Sequence, residues 1–203
     1  MKKYCVLFFI FISLCVEAQS NQKKFFKLST PAKAWVLLHP FKAKKALKIS
    51  LEAKRISDSI QKTNLLDGDG SGGQVDAFRH AFWMARLRQE LGKYTAKSLG
   101  KAHEKENYIT FKKQQLEEGD VPDEISSKMD LWNNNQGLQL TKKRSKISKK
   151  GLIFKVINAI INGEMKIIKK DAAGNFLTCK GVVIHFNELK GKWKNNKCLI
   201  MSN

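Results

Sequence analysis

The stretch GSGGQVDAFRHAFWMARL, residues Gly70 to Leu87, decides the fold because it leads from a loop of Gly, Asp and Ser straight into an apolar helix. Three ionisable residues, Asp76, Arg79 and His80, stand near the start of that helix among large apolar side chains. Burial of such groups is costly unless they are hydrogen-bonded, paired or bound to a metal. The stretch therefore predicts either an internally satisfied polar network or a functional site.

The central helix is predicted over Gln74–Leu91, with Gly92 as its C-terminal stop. Asp76, His80 and Trp83 follow helical spacing and therefore share one face.

Two later helices are predicted to carry polar clusters of the same kind. One holds His103 and Glu104. The other holds Asp130, Asn134 (or Asn133) and Gly137 on one side, where the glycine permits close approach of a neighbouring backbone. Because each cluster mixes polar groups with residues that must be buried, we expect the three clusters to meet in the core. The predicted fold is mainly α, with polar residues of three helices converging.

The motifs DAFRHAFW, AHE and MDLWNNNQG together resemble a domain family of bacterial, often exported, proteins with the pattern DAFRHAxW, AHE and DLxNNxxG. The resemblance covers about residues 40–140 and extends more loosely to 183. It implies shared site positions rather than a particular activity. The matching positions are Asp76, Arg79, His80, Trp83, His103, Glu104, Asp130, Asn133, Asn134 and Gly137. One departure is Trp132, where the resemblance implies histidine, so a ligand or base at that position would be missing here.

Flanking helices are predicted from capping signals and apolar periodicity. Thr30 before Pro31 predicts the start of a short helix that ends at His39. A longer helix is predicted over 41–62 from its apolar stripe, and Thr95 is predicted to cap the helix that follows the central one.

The chain is expected to divide into a helical domain over 24–140, a basic linker over 141–150 and a small α/β extension over 151–203. The linker contains six cations and no anion, which is typical of a solvated spacer or a mobile arm. In the extension, EMKIIKK (164–170) and NFLTCKGVVIHF (175–186) predict short strands.

Four cysteines are present, and two of them, Cys5 and Cys15, lie in the N-terminal leader. The other two, Cys179 and Cys198, predict a disulfide that stabilises the extension by about 3 kcal/mol in the chain-entropy model. A zinc site there is disfavoured, since two cysteines and His185 do not make a four-ligand shell.

The leader has the layout of a secretory signal peptide, with two lysines, an apolar run over 4–16 and a small residue at Ala18. We expect removal of residues 1–18, export to the periplasm or beyond the cell, and no membrane span in the mature chain. A lipoprotein modified at Cys15 is disfavoured by the bulk of the preceding Leu14.

The formal net charge of +20 indicates anionic partners such as nucleic acid, phospholipid head groups or an acidic envelope. Solubility alone is a competing explanation of the charge. Lysines outnumber arginines, which suits a diffuse field better than bidentate phosphate recognition, so nucleic acid is the weaker of these partners.

Three interpretations of the polar clusters stay open. The first is a metal-assisted hydrolase, in which His80, His103 and Asp130 hold one divalent ion such as zinc. Asp76 or Glu104 is then the candidate general base, and Arg79 stabilises charge on an anionic substrate. The candidate substrate-binding residues are Trp83, Asn133 and Asn134.

The second interpretation is a metal-free site in which His80, oriented by Asp130 or Asp76, removes a proton from water. The third is a structural network that only fixes the packing of the helices. In it Arg79 pairs with Glu104 or Asp130, both histidines are neutral and hydrogen-bonded, and Asn133 and Asn134 cap backbone groups. Access of substrate to the histidines distinguishes the two enzymatic interpretations from the structural one. An enzyme needs a histidine in an open cleft, whereas a structural network is sealed.

The loop before the central helix suggests a calcium ion. Asp67, Asp69 and Ser71 occupy positions 1, 3 and 5 of an EF-hand-like loop, with Gly72 at position 6. Position 12, where a bidentate glutamate belongs, is Phe78, so a flexible entry turn is the competing interpretation.

The predicted function is a hydrolase acting on an anionic envelope or phosphodiester-type substrate, with a non-catalytic envelope-binding module as the alternative.

Overall fold

The computed structural model describes residues 25–116 and 120–203. The predicted signal peptide over 1–18 lies outside these residues. The described residues form seven helices and one two-stranded sheet, so the predicted, mainly α fold class is confirmed. No helix among them is both long and apolar enough to traverse a bilayer.

Six helices precede the first strand, and a short seventh helix lies between the two strands. In chain order the elements are α1 (Thr30–Leu38), α2 (Pro40–Gln61), α3 (Gln74–Leu91), α4 (Lys93–Lys112), α5 (Glu124–Gln139), α6 (Lys149–Ile161), β1 (Lys166–Ile168), α7 (Phe186–Leu189) and β2 (Leu199–Met201).

Two of the predicted caps differ from those in the structure. Helix α1 is capped by Ser29, not by Thr30, because the Ser29 hydroxyl accepts a hydrogen bond from the Ala32 amide. Helix α4 begins two residues before Thr95, directly after Gly92, whose φ of 92° turns the chain sharply between α3 and α4. Thr95 instead lies inside α4.

Helix α3 occupies the centre of the molecule and has the bounds that the sequence predicts. Its Phe78, Phe82 and Leu87 are fully buried, because helices α2, α4, α5 and α6 all pack around it. Helix α6 contributes Leu152 and Ile160 to the same core, although the sequence places that helix in the C-terminal extension. The polar residues of α3 are therefore surrounded by helices on several sides.

The basic run between α5 and α6 is held against α3 by Gln89. The Gln89 amide group donates to the carbonyl oxygens of Ser145 and Ile147, at 2.9 Å each. The backbone amide of Arg144 donates in turn to the Gln89 carbonyl at 2.8 Å. The backbone of 144–147 thus follows α3.

The C-terminal sheet pairs β1 with β2 in antiparallel register, with Ile167 opposite Ile200. The strand predicted over 164–170 is confirmed in its central part, but the one predicted over 175–186 is wrong. That segment makes only isolated bridges, such as Leu177 to Val183. The predicted disulfide between Cys179 and Cys198 is confirmed.

Candidate functional site

The structure brings the polar clusters of three helices together around His80. Helix α3 supplies Asp76, Arg79 and His80, while α4 supplies His103 and Glu104. Helix α5 supplies Asp130 and Asn134, each within reach of the His80 ring. His80 itself is 2% exposed, and the two aspartates are buried with it.

One nitrogen of His80, Nε2, faces a guanidinium and two carboxylates. It lies 3.2 Å from Arg79 Nη2, 3.4 Å from an Asp76 oxygen and 3.3 Å from an Asp130 oxygen. Arg79 also donates to Asp76 at 2.7 Å. Asp76 is fixed by its other oxygen, which accepts the Gly72 amide at 2.7 Å, so the Gly-rich loop positions this carboxylate.

The other nitrogen of His80, Nδ1, lies 3.4 Å from the side-chain oxygen of Asn134. The amide nitrogen of Asn134 donates to Glu104 at 3.4 Å. With this amide orientation, Nδ1 carries the proton and donates, which leaves the lone pair of a neutral ring on Nε2. Asn134 therefore couples the histidine of α3 to the carboxylate of α4.

Burial keeps His80 neutral. Desolvation, followed by the charge of Arg79 and by His103, holds the pKa of His80 well below its ordinary value, and the hydrogen bond with Asn134 opposes this only in part. A neutral imidazole is the form that binds metals.

His80 and His103 line an open cleft of about 270 Å³ together with Arg79 and Trp83. The two imidazole rings are 5.8 Å apart, and Trp83 meets His103 edge to face at 5.6 Å. The Trp83 indole is held from behind, since its N–H donates to the Ser50 hydroxyl at 2.9 Å. The cluster is thus open on the side of the cleft.

Glu106 also lines this cleft, and the sequence did not single it out. It stands three residues after His103 on α4, so the two side chains share a face. The three-residue spacing from His103 could have indicated Glu106 as a site residue. The AHE motif ends at Glu104, so the motif series does not include it.

Two residues of the third motif, the predicted substrate-binding Asn133 and the departure Trp132, face away from the cleft. Both polar atoms of the Asn133 amide bond the backbone of Lys166 at 2.9 Å, so this residue attaches β1 to α5. Trp132 is about one third exposed and donates to the Glu164 carbonyl at 3.2 Å. The departure from histidine at position 132 therefore lies at the β1 side of α5.

The proposed calcium loop is organised around a lysine. Lys170 Nζ lies 2.6 Å from Asp69 and 2.6 Å from the Ser71 carbonyl oxygen. The Asp67 carboxylate accepts the amides of Asp69 and Gln74 at 2.9 and 2.7 Å. The Lys170 ammonium and two backbone amides therefore contact the oxygens that the calcium interpretation assigns to an ion.

Two sets of residues among those described have ligand atoms within 4.8 Å of one another. One set is Asp76, His80 and Asp130, and the other is His80, His103 and Glu104. The predicted set of His80, His103 and Asp130 is divided between them. In the first set the Arg79 guanidinium already contacts Asp76 and His80. In the second set His80 and His103 line the cleft.

Comparison with protein families matches residues 33–164 to a domain of unknown function, DUF6973. The chain belongs to this family, and the matched region holds every residue of the cluster. Comparisons with curated proteins and with solved structures gave no match.

Proposed function

We propose that this protein is a metal-assisted hydrolase whose ion is held by His80, His103 and Glu104 at the floor of the cleft. The observation that carries the proposal is the approach of these three ligand atoms to within 4.8 Å, beside an open cleft. Two histidines and a glutamate are a ligand set that catalytic zinc uses, with one position left for water. When bound, such an ion lowers the pKa of water and polarises the bond to be broken.

Residues outside the proposed ligand set orient the ligands. Asn134 contacts both His80 and Glu104, which fixes the imidazole tautomer and the position of the carboxylate. Asp130 and the Arg79–Asp76 pair lie beside His80 Nε2, the nitrogen whose lone pair would bind the ion. These residues position His80 and give the site its rigidity.

Arg79 supports an anionic substrate. Its side chain lines the cleft, and its bond of 2.7 Å to Asp76 holds the guanidinium in a defined place. A guanidinium presents several N–H donors in a planar fork that matches phosphate or carboxylate oxygens. We infer a phosphodiester-type or related anionic ester as the substrate class.

Glu106 is the carboxylate in the cleft that can accept the proton of the attacking water. It shares a helix face with His103, and it stands outside the ligand set. In the proposed step the water oxygen bonds to the electrophilic centre, its proton passes to Glu106, and the ester bond to the leaving oxygen breaks. The protonated Glu106 can then return a proton to the leaving oxygen.

We also infer that the protein works in an oxidising compartment after export. The disulfide between Cys179 and Cys198 supports this, because such bonds persist mainly outside the reducing cytosol.

The first test is elemental analysis of the purified protein beside single variants. We expect stoichiometric metal in the parent and its loss in His103→Ala and Glu104→Gln. His185→Ala is the matched control, because His185 is exposed and caps the short helix α7, and this variant should keep its metal. Hydrolysis of a chromogenic phosphodiester should fall with the metal, whereas Glu106→Gln should lose activity and keep metal.

Other results would replace the proposal. Loss of metal in Asp130→Asn, with retention in His103→Ala, would move the ion to the buried set. A parent that holds no metal, and whose melting temperature does not respond to added zinc or manganese, contradicts any metal site. If its cluster variants were also only destabilised, the network would be structural and the protein a non-catalytic binding module.

A further inference from the structure

The N-terminal helical segment has an unusual charge balance. From Phe25 to Leu51 the chain contains six lysines and neither aspartate nor glutamate, although the whole chain has 18 acidic residues. This segment comprises α1 and the first half of α2. No acid within the segment offsets this charge, and Lys45 pairs with Glu90 of α3.

Large apolar side chains are exposed on the same segment. Leu37, Leu38 and Phe41, at the corner between α1 and α2, are 70%, 78% and 99% exposed. Leu47 and Leu51 of α2 are also exposed, at 49% and 63%, and their four-residue spacing places them side by side. Single exposed apolar residues are ordinary, but three large ones within five residues at one corner mark an interaction surface.

An apolar trough of about 350 Å³ lies along the same two helices. Trp35, Val36 and Leu47 are among its lining residues. The trough and the cleft of His80 and His103 have Ala32, Ser50 and Leu99 in common as lining residues. The trough therefore adjoins the cleft of the proposed active site.

We propose that the α1–α2 corner docks on an anionic phospholipid surface and that the trough receives one acyl chain of a lipid. Exposed leucines and a phenylalanine bordered by lysines match the acyl boundary and the anionic head groups of such a surface. A lipid whose chain lies in the trough brings its phosphate towards Arg79. The assignment of that lipid as the substrate rests on the proposed hydrolase function, whereas the docking does not.

The docking is tested by flotation with vesicles of equal parts phosphatidylglycerol and phosphatidylcholine. We expect the parent to bind these vesicles, to bind less as salt is added, and to bind pure phosphatidylcholine more weakly. A Leu38→Asp, Phe41→Asp variant should bind at least about tenfold more weakly, since two large apolar side chains no longer enter the interface. The matched control is Val182→Asp, Phe186→Asp, which changes residues that are 61% and 74% exposed in the C-terminal extension.

The acyl chain in the trough is tested with phosphatidylglycerol brominated on its acyl chains, which quenches nearby tryptophan fluorescence. We expect quenching in the parent and its loss in Trp35→Phe, because Trp35 lines the trough. Vesicle binding with quenching unchanged in Trp35→Phe overturns the acyl-chain assignment and leaves another occupant, such as residues 1–24, in the trough. All variants are compared in the same purified form of the chain, so any effect of those residues on binding is common to them.

The two proposals fail in different ways. No binding to anionic vesicles, or an equal loss in the control variant, overturns the docking surface even if a soluble phosphodiester is hydrolysed. Binding without any hydrolysis by the parent upholds the surface and removes the hydrolase. Vesicle binding by His103→Ala, with loss of lipid hydrolysis, supports both.

Discussion

Gly137 on α5 meets the backbone of Ala81 on α3 without space for a side chain. A Cβ at position 137 would lie 2.6 Å from the Cα of Ala81 and closer still to its carbonyl oxygen. This contact sets the separation of the two helices, and so the distance from Asp130 and Asn134 to His80. The glycine in the third motif thus serves the geometry of the cluster.

Gly137→Ala should lower the free energy of unfolding by about 3 kcal/mol or more, because backbone rather than a flexible side chain must move. Gly100→Ala is the control, since its Cβ would meet the flexible end of Met84 at 3.2 Å and alanine favours the helix. We expect a near-neutral effect there. Denaturant unfolding measures both, and an equal loss in the two variants would contradict the close-contact explanation.

Acidification should destabilise the fold through His80. The unfolded chain binds a proton at this residue below about pH 6.5, whereas the folded chain binds it only at lower pH, because burial lowers the pKa of His80. Stability is therefore lost as pH falls from about 6.5, by at most about 1.4 kcal/mol per pH unit for this one proton. The charged or titratable groups around His80 are Asp76, Arg79, His103, Glu104 and Asp130.

The measurement is the free energy of unfolding against pH in the presence of a chelator, for the parent and for His80→Gln. The other groups titrate in both proteins, so the difference between the two curves isolates the histidine. The parent should lose stability more steeply than the variant below about pH 6.5. Parallel curves would show that His80 takes up its proton equally well in the folded chain.

Asp123→Asn should be strongly destabilising. Its carboxylate caps α5 through the Ser126 amide and lies 2.8 Å from Lys197 Nζ, with both side chains of the ion pair 6% exposed. Asparagine retains the cap but leaves a buried ammonium without its counter-charge, which costs about 3–5 kcal/mol. Thermal and denaturant unfolding of the variant provide the measurement.

Two further variants check this explanation. Adding Lys197→Met should restore part of the stability, because it removes the buried charge. Asp58→Asn, at the exposed pair with Lys54, should change stability by less than about 1 kcal/mol. If the double variant lost the sum of the two single losses, the two side chains would not be coupled.

Local sequence signals were sufficient for the central helix. A Gly-rich loop precedes Gln74 and Gly92 follows Leu91, so both ends carry backbone signals next to a clear helical period. The convergence of three clusters could also be predicted, because each helix had to bury its polar residues beside apolar ones.

Contacts between distant segments had no comparable signal. Strand β2 pairs with β1 across more than thirty residues, and the β-branched run after Gly181 forms isolated bridges instead of a ladder. Lys170 contacts Asp69 across 101 residues of sequence, and nothing in the loop sequence predicts this contact. Glu106 was missed for a different reason, since its place in the cleft depends on how α4 is rotated.

The hydrogen bonds from Gln89 change what the basic run of residues 141–150 can do. A flexible arm loses conformational entropy when an anionic partner orders it, and that loss weakens binding. In this protein the backbone of 144–147 is already ordered on α3 by these bonds. An anionic partner that bound this run would therefore not lose affinity to the ordering of that backbone.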